Sequence, residues 1–261
     1  MYSFIELGNM GRLGNQMFQF ATTLALGHIK NQNVYFPIEK NSRLPEVFPA
    51  TKEYFMPLSQ IFVSQRYNEI DFRFCPEVHT LPPGTDLYGY FQTEKYFDCI
   101  RDKILALFSF SQEIDKIALE VWQGLRIDAS SEKETISLHV RRGDYLLYPN
   151  HHPTCSLDYY QQAISRFNQD SLILVFSDDI GWCRQNFTGD RFYFIDTKSD
   201  LVDLKLMTMC DHHIIANSSY SWWGAWLNPN QNKQVIAPSN WFGPEIRKNP
   251  EDVYCRGWQV I

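Results

Sequence analysis

His139, Arg141, Arg142 and Asp144 stand within six positions at the end of an apolar run, in the stretch ISLHVRRGDYLLY from Ile136 to Tyr148. Arginine carries a planar fork of N–H donors that grips a phosphate two bonds at a time, and a neighbouring histidine adds another polar contact. Set where a buried strand meets solvent, these residues suit the holding of an anion, a diphosphate above all. Arg142 and Asp144 also suit a structural ion pair that fixes the loop. His139 taken alone suits a satisfied core histidine equally well.

Such residues need elements to bring them together. From Thr135 onward the chain alternates strand patterns at 135–140, 171–176, 191–195, 213–216 and 234–237 with helical patterns at 157–167, 181–187, 200–210 and 220–227. That alternation predicts a parallel sheet covered on both faces, with ligands outside the carboxyl ends of its strands. Those ends read His139-Val140-Arg141-Arg142, Ser177-Asp178-Asp179, Asp196-Thr197, Asn217-Ser218-Ser219 and Pro238-Ser239-Asn240. All are polar. Serines before a helix can give hydroxyl and backbone donors to a phosphate, although Ser218 and Ser219 equally fit an ordinary N-cap. Asp178 or Asp179 can accept from a base or a ribose hydroxyl. Trp222, Trp223 and Trp226 read as core of the last helix rather than as a sugar platform.

The N-terminal half opens as strand, glycine-rich turn, helix and strand. YSFIEL is followed by Gly8, Gly11 and Gly14, then by Met17, Phe20, Ala21 and Leu24 on one helical face, then by NVYFPI. Residues 40–83 lack a clear period. Tyr88 to Asp98 leads towards a helix ending near Phe110, and Ser111 to Leu125 reads as another. The polar run Arg126 to Thr135 is the expected boundary, giving domains at 1–125 and 126–261.

Composition bounds the partners. With 44% apolar and 15% aromatic residues the 261-residue chain can bury a large core, so it is globular. A formal charge of −6 argues against nucleic acid or an anionic membrane as the main partner. Six scattered cysteines without a C-x-x-C pair disfavour zinc or a redox dithiol and fit free thiols in a cytoplasmic protein. No segment has the ~18 apolar residues of a membrane span, which leaves only peripheral contact with the cytoplasmic face of a membrane. His151-His152 and His212-His213 lack a third ligand at metal spacing, and the chain has no D-x-D metal clamp, P-loop or G-x-G-x-x-G.

HVRRGD at 139–144 resembles the H-x-R-R-x-D signature of fucosyltransferases that form α-1,2, α-1,6 and protein O-linked fucose. GRLGNQMFQFATTLALG (11–27), GYFQTEKYF (89–97), FSDDIGWC (176–183), ANSSYSWWGAWLNP (216–229) and VIAPSNWF (235–242) resemble the bacterial α-1,2-fucosyltransferase family, over nearly the full chain. The resemblance implies an α/β GT-B fold of two Rossmann-like halves with a cleft between them, the first on the acceptor side and the second binding the donor. It implies GDP-β-L-fucose as donor, inversion, no metal or other cofactor, and a terminal β-galactoside 2-hydroxyl as acceptor. It gives Arg141 the donor diphosphate, His139 the adjacent sugar or phosphate, Asp178 and Asp179 guanosine, and Asn217, Ser218 and Ser219 the β-phosphate neighbourhood. Asn15 is implied to face the donor from the other half. Asp144 and Glu94 are the candidates for the base that takes the acceptor proton. The rival readings are a metal-free GT-B transferase of another donor or linkage, such as α-1,6-fucosyl, and a glycan-binding module without turnover.

Overall fold

The computed structural model describes residues 1–125 and 133–261, so most of the expected boundary segment lies outside the described residues. The chain divides into two units, one of residues 1–111 with 248–255, the other of residues 112–247 with 256–261.

The first unit runs β1 (Tyr2–Ser3), α1 (Leu13–Ile29), β2 (Phe36–Pro37), α2 (Leu44–Val47), β3 (Phe55–Met56), β4 (Gln65–Asn68), β5 (Thr85–Tyr88) and α3 (Arg101–Leu107). A parallel sheet of order β1-β5-β4 forms one layer, and β2 pairs with β3 apart from it. Helix α1 is buried from Leu13 to Gly27 save for Asn15, including Gln16, Gln19, Thr22 and Thr23. Its buried amides reach neighbouring turns: Gln19 Nε2 donates to the carbonyls of Met10 and Gly89, each at 3.1 Å, while its Oε1 meets no partner among the described residues, and Gln16 Oε1 accepts from Ser42 and the Arg43 amide. Such bonds offset the cost of burying an amide, and here they tie the glycine-rich turn and the Gly89 turn to one helix.

The second unit runs α4 (Gln112–Gly124), β6 (Thr135–Val140), α5 (Leu157–Ile164), β7 (Leu172–Ser177), α6 (Ile180–Asn186), β8 (Phe192–Ile195), α7 (Asp200–Met209), β9 (His212–Ile214), α8 (Ser219–Trp226), β10 (Val235–Ala237) and β11 (Gln259–Val260). Every pairing is parallel, in the order β11-β10-β9-β6-β7-β8. Counted from β6, this is the 3-2-1-4-5-6 order of a doubly wound nucleotide-binding sheet, with the switch point between β6 and β9. Alternate residues serve opposite faces: Ile173 and Val175 pack with Tyr160 and Phe187, whereas Leu174 and Phe176 pack with Val202 and Leu206. Ala118 of α4 joins the latter cluster, which is why the division falls before α4 and not after it as the sequence suggests. Trp222, Trp223 and Trp226 are buried core, as their helical spacing predicts.

Among the described residues all six cysteines are free, and no helix is long and apolar enough to cross a membrane. His213 Nδ1 lies 2.7 Å from Ser137 Oγ, and its Nε2 lies 2.7 Å from Asn228 Nδ2. The resulting line resembles a nucleophile triad. Asn228 Nδ2 can only donate, however, so Nε2 must accept and Nδ1–H must point at the serine, the wrong sense for activating it. Full burial, which pushes the His213 pKa down to about 3, completes the picture of a core staple.

Candidate active site

The switch point brings most of the expected residues of the second unit to one edge. Arg141 follows β6 and donates from Nη1 to Asp178 Oδ2 at 2.8 Å and from Nη2 to Asp144. Two carboxylates thus fix the plane of its guanidinium. Three of its five N–H donors remain for a ligand. Tyr145 lies beneath it, ring centroid 5.4 Å from Cζ, with its hydroxyl donating to the Asn217 carbonyl at 3.0 Å. Burial pushes the Tyr145 pKa up to about 12, so it stays a neutral donor.

Arg142 turns elsewhere. Its Nε donates to Asp179 Oδ2 at 3.1 Å, its backbone amide to Asp178 Oδ1 at 2.9 Å, and its guanidinium stacks on Trp182 at 4.3 Å. The pairing of Arg142 with Asp144 suggested by their closeness in sequence is therefore corrected: Asp144 takes Arg141 and Asp179 takes Arg142. Asp179 also caps α6, accepting from the Trp182 amide at 3.0 Å. Asp178 and Asp179, expected on guanosine, hold the arginine loop in shape. Gly143 permits this, because a Cβ there would sit 2.5 Å from Asp178 Oδ2.

His139 is the last buried polar side chain of β6, at 5% exposure, with its ring 5.5 Å from that of Tyr220. Its Nδ1 has no hydrogen-bond partner among the described residues. Burial, reinforced by Arg141, pushes its pKa down to about 3, so the imidazole is neutral near pH 7. A ring so weakly basic suits hydrogen bonding better than proton abstraction. Asn217 is spent structurally: Nδ2 donates to the carbonyls of Pro153 and Trp241, and Oδ1 accepts from Cys155. Ser218 is the N-cap of α8, its Oγ accepting from the Tyr220 amide at 3.4 Å, and Ser219 opens the helix.

Two residues at this edge escape sequence reasoning. Tyr145 had only its place after the arginines to mark it. Asp203 faces Thr197 after β8, accepting from its hydroxyl at 2.6 Å, and burial beside Asp200 and Asp196 pushes its pKa up to about 6. Its sole signal was the Asp200/Asp203 spacing in the first turn of α7.

Asn15 and Glu94 belong to the first unit. Asn15 Oδ1 accepts from Gln92 Nε2 at 2.8 Å below Gly11, whose φ of +81° and close approach to the Asn15 side chain leave no room for a Cβ. Glu94 Oε2 accepts from Arg101 Nη1 at 3.5 Å and is largely covered. No group of three or more His, Cys, Asp or Glu among the described residues is placed to hold a metal ion.

Comparison with known proteins gives this geometry a family. An Escherichia coli α-1,2-colitosyltransferase is 31% identical over 90% of this chain and 91% of its own. The O-antigen biosynthesis glycosyltransferase WbnK of E. coli is 37% identical over 61% of this chain, the match spanning 56% of WbnK. Galactoside α-(1,2)-fucosyltransferase 2 of Oryctolagus cuniculus is 28% identical over 97% of this chain and 75% of its own. In fold, a FUT1 variant of Arabidopsis thaliana in complex with GDP superposes with a TM-score of 0.56 at 10% identity, covering 90% of this chain and 70% of that one. The two α/β units with parallel sheets are thus a GT-B fold. Residues 4–261 match the profile of glycosyl transferase family 11, so the chain belongs to that family of fucosyltransferases.

Proposed function

We propose that the protein moves L-fucose from GDP-β-L-fucose to the 2-hydroxyl of a terminal β-galactoside, with inversion and without a metal. The observation that carries this reading is Arg141, fixed by two carboxylates at the switch point of a 3-2-1-4-5-6 sheet with donors to spare. Breaking the sugar–phosphate bond leaves negative charge on the diphosphate, which preorganised donors stabilise more than the ground state. Arg141 is the strongest such donor, and the α8 N-terminus after Ser218 adds a partial positive charge. His139, neutral and with Nδ1 unpartnered among the described residues, is assigned to the same anion or the sugar.

Asp144 is bound up with Arg141, which makes it a poor base in this arrangement. Glu94 is the remaining candidate for the acceptor proton. A pH–rate profile of Glu94→Gln that keeps its acidic limb would exclude that role.

The colitosyltransferase relative supports a second reading on the donor, since colitose is the 3-deoxy counterpart of fucose. Incubation with GDP-fucose or GDP-colitose, in EDTA, with a panel of β-galactosides and NMR assignment of the linkage decides between them. An α-1,2-fucosylated product supports the first reading. Turnover only with GDP-colitose, only with added metal, or at another hydroxyl overturns the corresponding part.

A further inference from the structure

A polar cavity of about 440 Å³ opens in the first unit beside the glycine-rich turn, lined by Glu6, Asn9, Gly11, Arg66, Tyr88 and Tyr90 among others. We propose that it is a binding subsite for a neutral hexopyranoside, which on the transferase reading is a sugar of the acceptor.

Its chemistry fits a sugar better than a nucleotide. Pyranosides are held by aromatic surface against their C–H faces and by carboxylate, amide or guanidinium groups that meet adjacent hydroxyls two at a time. Tyr88 and Tyr90 supply the ring surface. Glu6 accepts from Asn9 Nδ2 at 2.9 Å and pairs with Lys40 at 3.3 Å, contacts that leave lone pairs free and hold its carboxyl below the usual range. Arg66 gives Nε to the buried Asp86 at 2.7 Å and lies 5.2 Å from the Tyr88 centroid. Its terminal N–H donors meet no described residue. Glu6 and Arg66 balance in charge, as do Lys40 and Asp86, so the cavity offers no excess positive field for a phosphate.

The wall of the cavity is also built at a cost. Tyr90 belongs to a turn in which Gly89 has φ +159° and Phe91, not a glycine, has φ +52°. Such backbone persists only where its surroundings over-determine it, commonly at ligand sites. Here the carboxylate of Glu69 accepts from the amides of Tyr90 and Phe91 at 2.7 and 2.8 Å, and Gln19 takes the Gly89 carbonyl at 3.1 Å. The next residue, Gln92, reaches Asn15. One clamped turn therefore sets both the cavity wall and the Asn15 amide.

Binding is read without donor, so this inference stands or falls apart from the transfer reaction. Methyl β-galactoside is titrated by NMR into the wild type, Glu6→Gln, Tyr88→Ala and the exposed Asn9→Ala, with calorimetric GDP affinity as the check of an intact fold. The affinity for the glycoside is expected to fall about tenfold in Glu6→Gln and Tyr88→Ala and about threefold in Asn9→Ala, each with GDP affinity retained. Glycoside affinity unchanged in Asn9→Ala and in either other variant overturns the proposal. So does preferential binding of a uronic acid or a sugar phosphate, which would mark the cavity as an anion site.

Discussion

Gly143 is the smallest member of the arginine loop and the one on which its geometry turns. A methyl group there would press on the Asp178 oxygen that orients Arg141. Gly143→Ala is expected to lower turnover about tenfold or more, since a displacement of ~1 Å in a charge-stabilising group is costly. Its melting midpoint should stay within about 4 °C of wild type, because the loop is not core. Kinetics and calorimetry on one preparation check both, and undiminished turnover would separate Asp178 from the task of Arg141. Arg141→Ala is expected to lose about 10²–10³-fold in kcat, and Arg141→Lys to recover little, because an ammonium cannot keep two carboxylates and a phosphate on one plane. A lysine variant near wild-type turnover would contradict the planar-fork argument. The residue types of this cluster were legible in the sequence, but their partners were not. Arg142 and Asp144 are two positions apart, yet Arg142 meets Asp179 across the β6–β7 pairing instead. Side chains at strand ends choose partners across the sheet, which spacing along one strand cannot reveal.

From β6 to β10 the elements of the second unit were legible because each carries its own signal, whereas the two-residue β11 carries none. LILVF makes a strand buried on both faces, and Ser199 and Ser218 cap the helices that follow them. Residues 40–83 gave no such signal: they fold as 3-10 turns, the one-turn helix α2 and short strands whose partners lie about twenty residues away. Glu69 illustrates the loss. It looks like a surface residue, yet it is the half-buried clamp of the Tyr90 and Phe91 amides, and desolvation pushes its pKa up to about 7 from an ordinary 4.5. Asp71 adds to that rise, whereas Lys248 and the two amides oppose it, and Tyr67, Tyr90 and Tyr96 stay neutral beside it. The folded state therefore binds this proton more tightly than the unfolded chain. The associated stability is full below about pH 4.5 and is lost as pH rises through about 7. Glu69→Gln removes that titration while losing one amide acceptor at every pH. Urea denaturation should find the variant gaining on the wild type by on the order of 1–3 kcal/mol between about pH 5 and pH 8. A constant difference across that range would show that the clamp carries its charge throughout.

At the scale of the whole molecule, the path of the chain departs from two sequential halves. After β10 it supplies residues 248–255 to the first unit and returns to give β11 to the second. Asp252 there accepts from Lys95 at 2.5 Å and from the Phe74 amide at 2.7 Å, and Trp258 packs 5.5 Å from Trp222. Removing residues 248–261 is thus expected to damage both units, lowering the melting midpoint by more than about 10 °C and abolishing GDP binding. A truncated protein with a wild-type midpoint by circular dichroism would show the segment to be ornamental. No boundary motif announced this return, because a short crossing made of turns carries no periodicity. It has a consequence for synthesis. On a ribosome working at roughly 5–20 residues per second, residues 1–111 emerge roughly seven to thirty seconds before residue 255 does. Through that interval the first unit lacks the partner of Lys95 and the Phe74 amide, so its final consolidation waits until Asp252 has left the ribosome.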